Sequence, residues 1–194
     1  FNSSSADLVL PAGTNSIKYA RLYWGGRING GTGGAGNINL RTVKIRKGTS
    51  GAYTDVTAPV SQIDKSLISG SDSAYQSYVD VTGFINVAGN GAGTYTVANV
   101  AAATGSETAG NYAAWSIVVV YENAAVPYNS VRVYDGYLQV FNGGPLSILL
   151  TGLTVPSATL VPSDAYMTAL SWEGDANLAV TAGNPQGDYI KVNG

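Results

Sequence analysis

Three carboxylate side chains are the residues of this chain that come closest to a metal site. They lie in "YDGY" and "WEGD", each at or near the point where a predicted strand gives way to a turn. If these strand ends are neighbours, Asp135, Glu173 and Asp175 supply the oxygen ligands that Ca²⁺ prefers. Because Asp and Gly also form turns without any metal, the turn alone is the alternative. The three acids are candidate calcium ligands.

The same acids could also act as the carboxyl pair of a glycosidase. Such a pair needs two carboxyl groups about 5 Å or about 6.5–9.5 Å apart in a cleft. The sequence has only three glutamates, Glu107, Glu122 and Glu173, and it has neither His nor Cys. The lack of both residue types removes Ser-His and Cys-His nucleophiles and the usual zinc ligands. No motif indicates a Ser-Lys nucleophile, so we predict that the chain is not an enzyme.

A glycine-rich stretch, "GTGGAG" from Gly31 to Gly36, has the G-x-G-x-x-G spacing of a dinucleotide-binding loop. In that fold the glycines lie between a strand and a helix, and an acidic residue follows about 20 residues later. Here the next segment, "NINLRTVKIRK", has the pattern of a strand and no helical period. We therefore predict a loop between two strands, and no nucleotide cofactor.

Lysine and the aromatic residues supply two further candidates. Lys18 lies in an apolar and aromatic strand, where a buried lysine could condense with Asn or Asp beside an acid such as Glu173. We favour the alternative, a lysine whose stem lies on apolar surface while its amine reaches water. Most aromatic residues have apolar strand neighbours and are predicted to lie in the core. Trp24, at the mouth of the glycine loop, is the candidate for an exposed ligand contact.

Charge and hydropathy exclude two classes of partner. Charged residues make up 11% of the chain and its net charge is -2, whereas about 25% charged residues is usual for soluble domains. The ten Lys and Arg residues are scattered, so the electrostatic footprint of a nucleic-acid-binding protein is missing. No apolar run reaches the ~18 residues of a membrane helix, and we predict no membrane insertion. The low content of Lys and Glu, with many Thr, Asn, Gly and Tyr residues, is typical of bacterial cell-surface β proteins.

Short alternating or apolar runs, bounded by turn residues, predict the elements that would position these residues. They indicate an all-β fold, a β-sandwich or jelly roll of about ten to twelve short, mostly antiparallel strands without a convincing helix. "YAAWSIVVVYEN" (Tyr112–Asn123) predicts a central strand buried on both faces. "SVRVYDGYLQVF" (Ser130–Phe141) predicts a later strand, and four more runs follow it: "LSILLTGLTVP", "AYMTALSWEGD", "NLAVTAG" and "DYIKVNG".

Residues 1–194 are predicted to form one sandwich domain. Its last predicted strand runs into the turn signal Asn193-Gly194, after which a partner strand is expected. Two explanations stay open. Either the sequence was cut at that point, or another chain supplies the strand.

Three segments together carry a resemblance to a known group of proteins. They are "IKYARLYWGG", "AGTYTVANV" with "AAWSIVVVYEN", and "VRVYDGY" followed by "ALSWEGD". From Ala6 to Asp175 the chain resembles the large β-sandwich domain near the N-terminus of adhesin-like surface proteins of bacteria and archaea. That domain often precedes repeated immunoglobulin-like modules.

The resemblance implies an exported, extracellular module at the cell surface. We expect a non-enzymatic adhesin domain, or a subunit of an extracellular fibre assembled by strand pairing. Its partners would be like subunits, neighbouring domains of the same surface protein, or a host or surface glycan. The alternative is a carbohydrate- or peptide-binding module whose loops are ordered by calcium.

Overall fold

The chain divides into two compact units, Phe1–Thr154 and Val155–Gly194. A computed structural model describes residues 2–28, 38–69, 72–86, 91–105, 111–138, 146–153, 165–172 and 190. All of the described strands lie in the first unit. Of the second unit, residues 165–172 and 190 are described, and they form neither helix nor strand. The single domain over residues 1–194 stays a prediction.

Eight strands of the described residues form two antiparallel sheets of four strands each, which confirms the all-β sandwich. The first sheet has the order β1-β7-β3-β4, with β1 Ser3–Leu8, β7 Gly93–Ala98, β3 Thr42–Lys47 and β4 Thr54–Thr57. The second sheet has the order β5-β6-β2-β8, with β5 Ile63–Ser69, β6 Asp72–Asp80, β2 Ser16–Ile28 and β8 Ala113–Glu122.

The core lies between the two sheets and takes side chains from both. The second sheet contributes Leu22 and Trp24 of β2 and Tyr75 of β6, each 0% exposed. The first sheet contributes Ile45 of β3 and Val97 of β7, which belong to the same buried cluster. Alternation places these residues on one face of each strand, and burial of that shared face is what holds the two sheets together.

Short helical turns interrupt the strands and correct the prediction that the chain has no helix. Helix α1 spans Ile38–Arg41, helix α2 spans Thr82–Asn86, and a single 3-10 turn covers Val60–Gln62. The run "SAYQSYVDVTGFI" (Ser73–Ile85) has the alternating pattern of one strand, but β6 ends at Asp80. The Asp80 carboxylate accepts a hydrogen bond from the Thr82 backbone N–H at 2.8 Å. This local bond offers the backbone an alternative to the sheet and begins the helical turn.

A β-bulge at Lys18 changes the face on which Ile17 lies. Ile17 pairs with Tyr121 and Tyr19 with Val120, so Lys18 is an extra residue in β2. Strict alternation predicts Ile17 on the same side as Arg21. In the structure Ile17 is 4% exposed and lies in the core with Ala20 and Leu22. The extra residue shifts the alternation by one position, which is the usual effect of a bulge.

The strands predicted after Asn123 are not seen where the structure describes them. Residues 130–138, 146–153 and 165–172 form no strand. The remaining parts of these predicted strands, with "NLAVTAG" and nearly all of "DYIKVNG", lie outside the described residues. Alternation indicates which face a residue would occupy, but it does not supply the neighbouring strand that a ladder needs. No helix in the described part of the chain is long and apolar enough to cross a membrane.

Candidate functional site

The sequence predicts a central strand over Tyr112–Asn123, but in the order of the described strands β8 stands at the end of the second sheet. Among the described strands it pairs with β2 alone. Its first nine residues, "AAWSIVVVY", carry no charge. A continuous apolar run of this kind is typical of a strand with neighbours on both sides. The strand therefore has the sequence of an interior strand and the position of an edge strand.

The side chains that β8 turns toward the core are less buried than those facing them in β2. Trp115 lies opposite Trp24 and Ile117 lies opposite Leu22 in the antiparallel register. Both β2 residues are 0% exposed, whereas Trp115 and Ile117 are only partly buried against the core. Val119 and Tyr121 are also partly buried. The hydrophobic core is thus incompletely covered along β8.

The edge strand of the first sheet on this side of the sandwich is β1, and none of the described strands covers it. The Trp115 indole Nε1 donates a hydrogen bond to the Ser4 hydroxyl at 2.6 Å, so β8 and β1 are edges on one side. Residues Ser3–Asp7 of β1 are exposed. We call the surface formed by β1 and β8 the open flank.

Polar contacts fix one end of the open flank. The buried Asn123 side-chain amide donates hydrogen bonds to Asn15 Oδ1 at 2.9 Å and to the Ala12 carbonyl at 3.0 Å. These contacts tie the end of β8 to the turn that precedes β2. Beside them, the Lys18 amine contacts the Glu122 carboxylate at 2.6 Å. The hydrogen bond from Lys18 lowers the pKa of Glu122.

Lys18 is an exposed residue rather than a buried one. Its side chain is 54% exposed at the bulge, and its amine pairs with Glu122. The preferred interpretation, a lysine whose amine reaches water, is confirmed. Glu173, the acid proposed for a condensation with Lys18, lies outside the described residues.

An arginine and three tyrosines form a polar cluster on the outer face of the second sheet. The Arg21 guanidinium lies 5.1 Å from the Tyr19 ring centre and 5.0 Å from that of Tyr78, distances typical of cation–π contacts. The Asp135 carboxylate accepts hydrogen bonds from Arg21 and from the Tyr23 hydroxyl. Nearby, the Gln76 amide donates to the Gly136 carbonyl at 3.3 Å. The "YDGY" segment is therefore held on the sheet by side chains of β2 and β6.

The pKa values in this cluster follow its burial and charge. Burial raises the pKa of Tyr23, and its hydrogen bond to Asp135 raises it further. Burial alone would lower the pKa of Arg21, but the charge of Asp135, the neighbouring tyrosines and the hydrogen bond to Asp135 together outweigh that effect, and the net pKa is raised. The arginine therefore stays charged and the phenol stays neutral at all ordinary pH values.

Of the candidate calcium ligands, the structure describes Asp135 alone, and Arg21 and Tyr23 already contact its oxygens. Glu173 and Asp175 lie outside the described residues, so the convergence of the three acids stays a prediction. Elsewhere in the described part of the chain, no group of three acidic, His or Cys residues could hold a metal ion. A cation at Asp135 would have to displace the arginine, since two positive charges repel each other there.

Trp24 is a core residue, and the prediction that its ring is exposed is wrong. Strand β2 continues past it to Ile28, so the residue lies within the strand and not at the mouth of a loop. The ring is 0% exposed, and its Nε1 donates to the Leu40 carbonyl at 3.0 Å. The Ser77 hydroxyl donates to the same carbonyl, also at 3.0 Å. Trp24 therefore binds helix α1 to the second sheet and cannot stack on a surface ligand.

The glycine loop from Gly31 to Gly36 lies outside the described residues, but the elements on both sides of it are described. Strand β2 belongs to the second sheet, and β3 belongs to the first. The single-turn helix α1 lies between them, although no helix is predicted there. A dinucleotide-binding loop joins a strand to a full helix within one parallel sheet. The flanking elements of this loop differ from that arrangement in both respects.

A shallow cleft of about 640 Å³ lies near β3 and β4. Its lining includes Asn2, Asn39, Asn99 and the ion pair between Lys44 and Asp55, which are 2.6 Å apart. Apolar residues, among them Val43 and Val100, line the rest of the cleft. A mixed lining with a few placed polar groups is typical of sites for small ligands. No feature of the sequence had pointed to this cleft, because its residues are far apart along the chain.

Comparisons of the chain with protein-family models, with curated proteins and with solved structures find no match. The resemblance to adhesin-like surface domains therefore stays a prediction. Within the described fold, the open flank has no structural role of its own.

Proposed function

We propose that the chain is an exported, non-enzymatic module of the cell surface, and specifically a subunit or adhesin domain assembled by strand pairing into an extracellular fibre. The observation that carries this proposal is the open flank, where an apolar edge strand leaves the core partly uncovered. An edge strand presents unpaired backbone N–H and C=O groups to any strand that can align with it. Addition of such a strand is a common mode of protein recognition.

The position of the charged residues distinguishes β8 from the other three described edge strands. β1 carries Asp7, β4 carries Asp55, and β5 carries Asp64 and Lys65. Charged residues at edges oppose pairing with other chains. β8 has no proline, and its one charge, Glu122, is its last residue. The nine uncharged residues before Glu122 are the longest uncharged run among the described edge strands, so β8 is the edge of these four that opposes pairing least.

The composition also supports assembly outside the cell. A net charge of -2 with 11% charged residues produces little repulsion between copies at close range. The lack of His and Cys removes the commonest nucleophilic and metal-based active sites. A low content of charged residues with many Gly, Ser, Thr and Tyr residues suits an exported β protein.

The direct test of this function is a charge placed on β8. Val118 alternates with the core-facing residues and points outward, so Val118→Lys changes the edge without entering the core. The matched control is Val9→Lys, at a site 84% exposed between β1 and β2. We expect filaments of the unchanged chain and of Val9→Lys in negative-stain microscopy at high concentration, and none of Val118→Lys. A chain that stays monomeric at every concentration would overturn the proposal.

A second candidate function is supported by the cleft near β3 and β4. Its amide and ion-pair groups favour a binding module for a carbohydrate or peptide, ordered by calcium with Asp135, Glu173 and Asp175 as the candidate ligands. A glycan array tests the ligand, with Lys44→Ala as the variant that removes a lining charge. A melting temperature unchanged by EGTA would remove calcium from this alternative.

A further inference from the structure

We propose that the open flank is filled by residues Leu146–Thr151 of a second copy of this chain, which we call the donor segment. This inference rests on the proposed function and adds the identity of the pairing strand. The donor segment would align with β8 as a fifth strand of the second sheet. Its apolar side chains would then cover Trp115 and Ile117, which are only partly buried in one copy.

The donor segment has the sequence of an amphipathic strand. Leu146, Ile148 and Leu150 alternate with Ser147, Leu149 and Thr151, so one face is wholly apolar and the other is mixed. It carries no charge. At ~3.3 Å per residue, six residues would extend about 20 Å along β8. Gly152 follows with a φ of +77°, a left-handed conformation that ends an extended run.

The donor segment is exposed in the isolated chain, where it has no strand partner. Leu149 is 86% exposed, Ile148 66% and Leu146 52%. The Thr151 carbonyl at its end accepts a hydrogen bond from the Tyr134 hydroxyl. Soluble proteins rarely expose several large apolar side chains in succession unless the surface is a contact site. The donor segment and β8 are thus complementary. The donor segment has exposed apolar side chains, and β8 has an edge that none of the described strands pairs with.

A second copy is the occupant because each chain carries one donor segment and one β8 edge, at two different places in the chain. A contact between unlike surfaces of identical chains is heterologous, and it repeats head to tail into an open filament unless the rotation closes a ring. Pairing of β8 with β8 would use the same surface twice and would stop at a dimer. Donor pairing therefore accounts for a fibre, whereas edge-to-edge pairing does not.

The absence of Cys from the sequence allows a clean cross-linking experiment on the full chain. The acceptor variant is Ser116→Cys, on the outward face of β8. Six donor variants place one cysteine at each position from Leu146 to Thr151. Acceptor and donor variants are mixed in equal amounts, oxidised, and separated without reductant, and the linked pairs are identified by mass spectrometry. A control donor, Ser50→Cys, lies in an exposed turn.

We expect disulfide-linked heterodimers from alternate donor positions only, on the side shared by Ser147, Leu149 and Thr151. The alternation follows from the period of a strand and from the Cα separation of less than about 7 Å that a disulfide requires. Their yield should exceed that of the Ser50→Cys control at least tenfold. Equal linkage at all six positions would overturn the proposal, because a flexible segment without strand pairing would give that result.

Four other outcomes would also overturn it. A Ser116→Cys/Ser147→Cys double variant that links within one chain at high dilution would show that the chain fills its own flank. Dominant Ser116→Cys homodimers would show pairing of β8 with β8. Filaments without any link to the donor segment would mean that another segment pairs with β8, and the proposed function as a fibre subunit would be retained. If filaments and links are both missing, the proposed function fails together with its donor.

Discussion

Trp24 and Trp115 lie directly opposite each other in the β2–β8 pairing, yet one ring is fully buried and the other is not. Both rings belong to the face that packs on the first sheet. In the part of the chain that the structure describes, β2 has a neighbouring strand on both sides, whereas β8 has one on one side. The difference in burial between the two rings therefore shows the effect of a neighbouring strand on the core. Trp24 has a structural role, whereas Trp115 belongs to the open flank.

Replacement of the two tryptophans should have unequal effects on stability. We expect Trp24→Phe to lower the free energy of unfolding by about 2–4 kcal/mol, because it leaves a cavity and removes the bond to the Leu40 carbonyl. Trp115→Phe should cost about 1 kcal/mol, since its ring and its Ser4 partner are accessible to water. Urea unfolding of both variants, at concentrations where the chain is monomeric, checks this. Equal losses would contradict the difference in burial.

The paired glycines of β2 should tolerate no side chain. A Cβ on Gly25 would lie 2.5 Å from the Tyr75 carbonyl oxygen, and a Cβ on Gly26 would lie 2.9 Å from that of Ala101. Since backbone atoms cannot easily move aside, we expect Gly25→Ala to cost about 2–3 kcal/mol.

Gly83 in α2 is the matched control for this substitution. A Cβ there meets nothing within 4 Å, so Gly83→Ala should be neutral or stabilising by up to about 1 kcal/mol. Thermal unfolding of the two alanine variants makes the comparison. If Gly25→Ala melts no lower than Gly83→Ala, the close approach of β2 and β6 is wrong.

Removal of the Asp135 charge should loosen the segment that carries it. Asp135→Asn leaves Arg21 without its ionic partner at a side chain only 18% exposed. We expect a loss of about 1–3 kcal/mol and faster hydrogen exchange over residues 130–138.

Asp55→Asn removes a similar bond from an aspartate that is 60% exposed, and it should cost less than about 1 kcal/mol. A double-mutant cycle that combines Asp135→Asn with Arg21→Gln isolates the interaction between Arg21 and Asp135. A coupling energy near zero would mean that Asp135 does not hold its segment on the sheet.

Alkaline pH should destabilise the fold through its buried tyrosines. Burial raises the pKa of Tyr19, Tyr23, Tyr75 and Tyr95 above the ordinary value of 10.0. These raised pKa values belong to the folded state. The contribution of the neutral tyrosines to stability is therefore complete below pH 10.0, and it is lost as the pH rises through the folded pKa values.

Urea unfolding over a series of alkaline pH values tests this, with tyrosinate absorbance as the second readout. The unfolding free energy should fall above about pH 10, and the folded chain should ionise later than the urea-unfolded chain. Tyr75→Phe should make the fall less steep. Coincident titration of the folded and unfolded chains would refute the expectation.

The sequence was sufficient for the fold class but not for the positions of individual residues within it. Alternation and turn residues identified the sandwich, because burial of one face per strand depends on local pattern. The bulge at Lys18 moved Ile17 to the core face, and the extension of β2 beyond Trp24 buried a ring predicted to be exposed. The first error came from a bulge within a strand, and the second came from the position at which a strand ends. Both features depend on pairing with neighbouring strands.

The candidate site was the harder part to predict. The apolar run of β8 was recognised, but its position at an edge depends on pairing that composition does not reveal. The contact between Arg21 and Asp135 joins residues 114 positions apart. No local pattern specifies such a contact. The sequence did indicate the importance of "YDGY", although the partner it suggested for Asp135 was a calcium ion and the structure supplies an arginine.

Hydrogen exchange of the β8 amides, in dilute monomer and in the assembled state, tests the central claim most directly. Alternate N–H groups of an antiparallel edge strand point away from its one neighbour. We predict that alternate amides from Ala114 to Tyr121 exchange quickly in the monomer and become protected on assembly, while amides bonded to β2 are protected in both. Protection of every β8 amide in the dilute monomer, or no change on assembly, would contradict the claim that β8 is the open edge through which copies join.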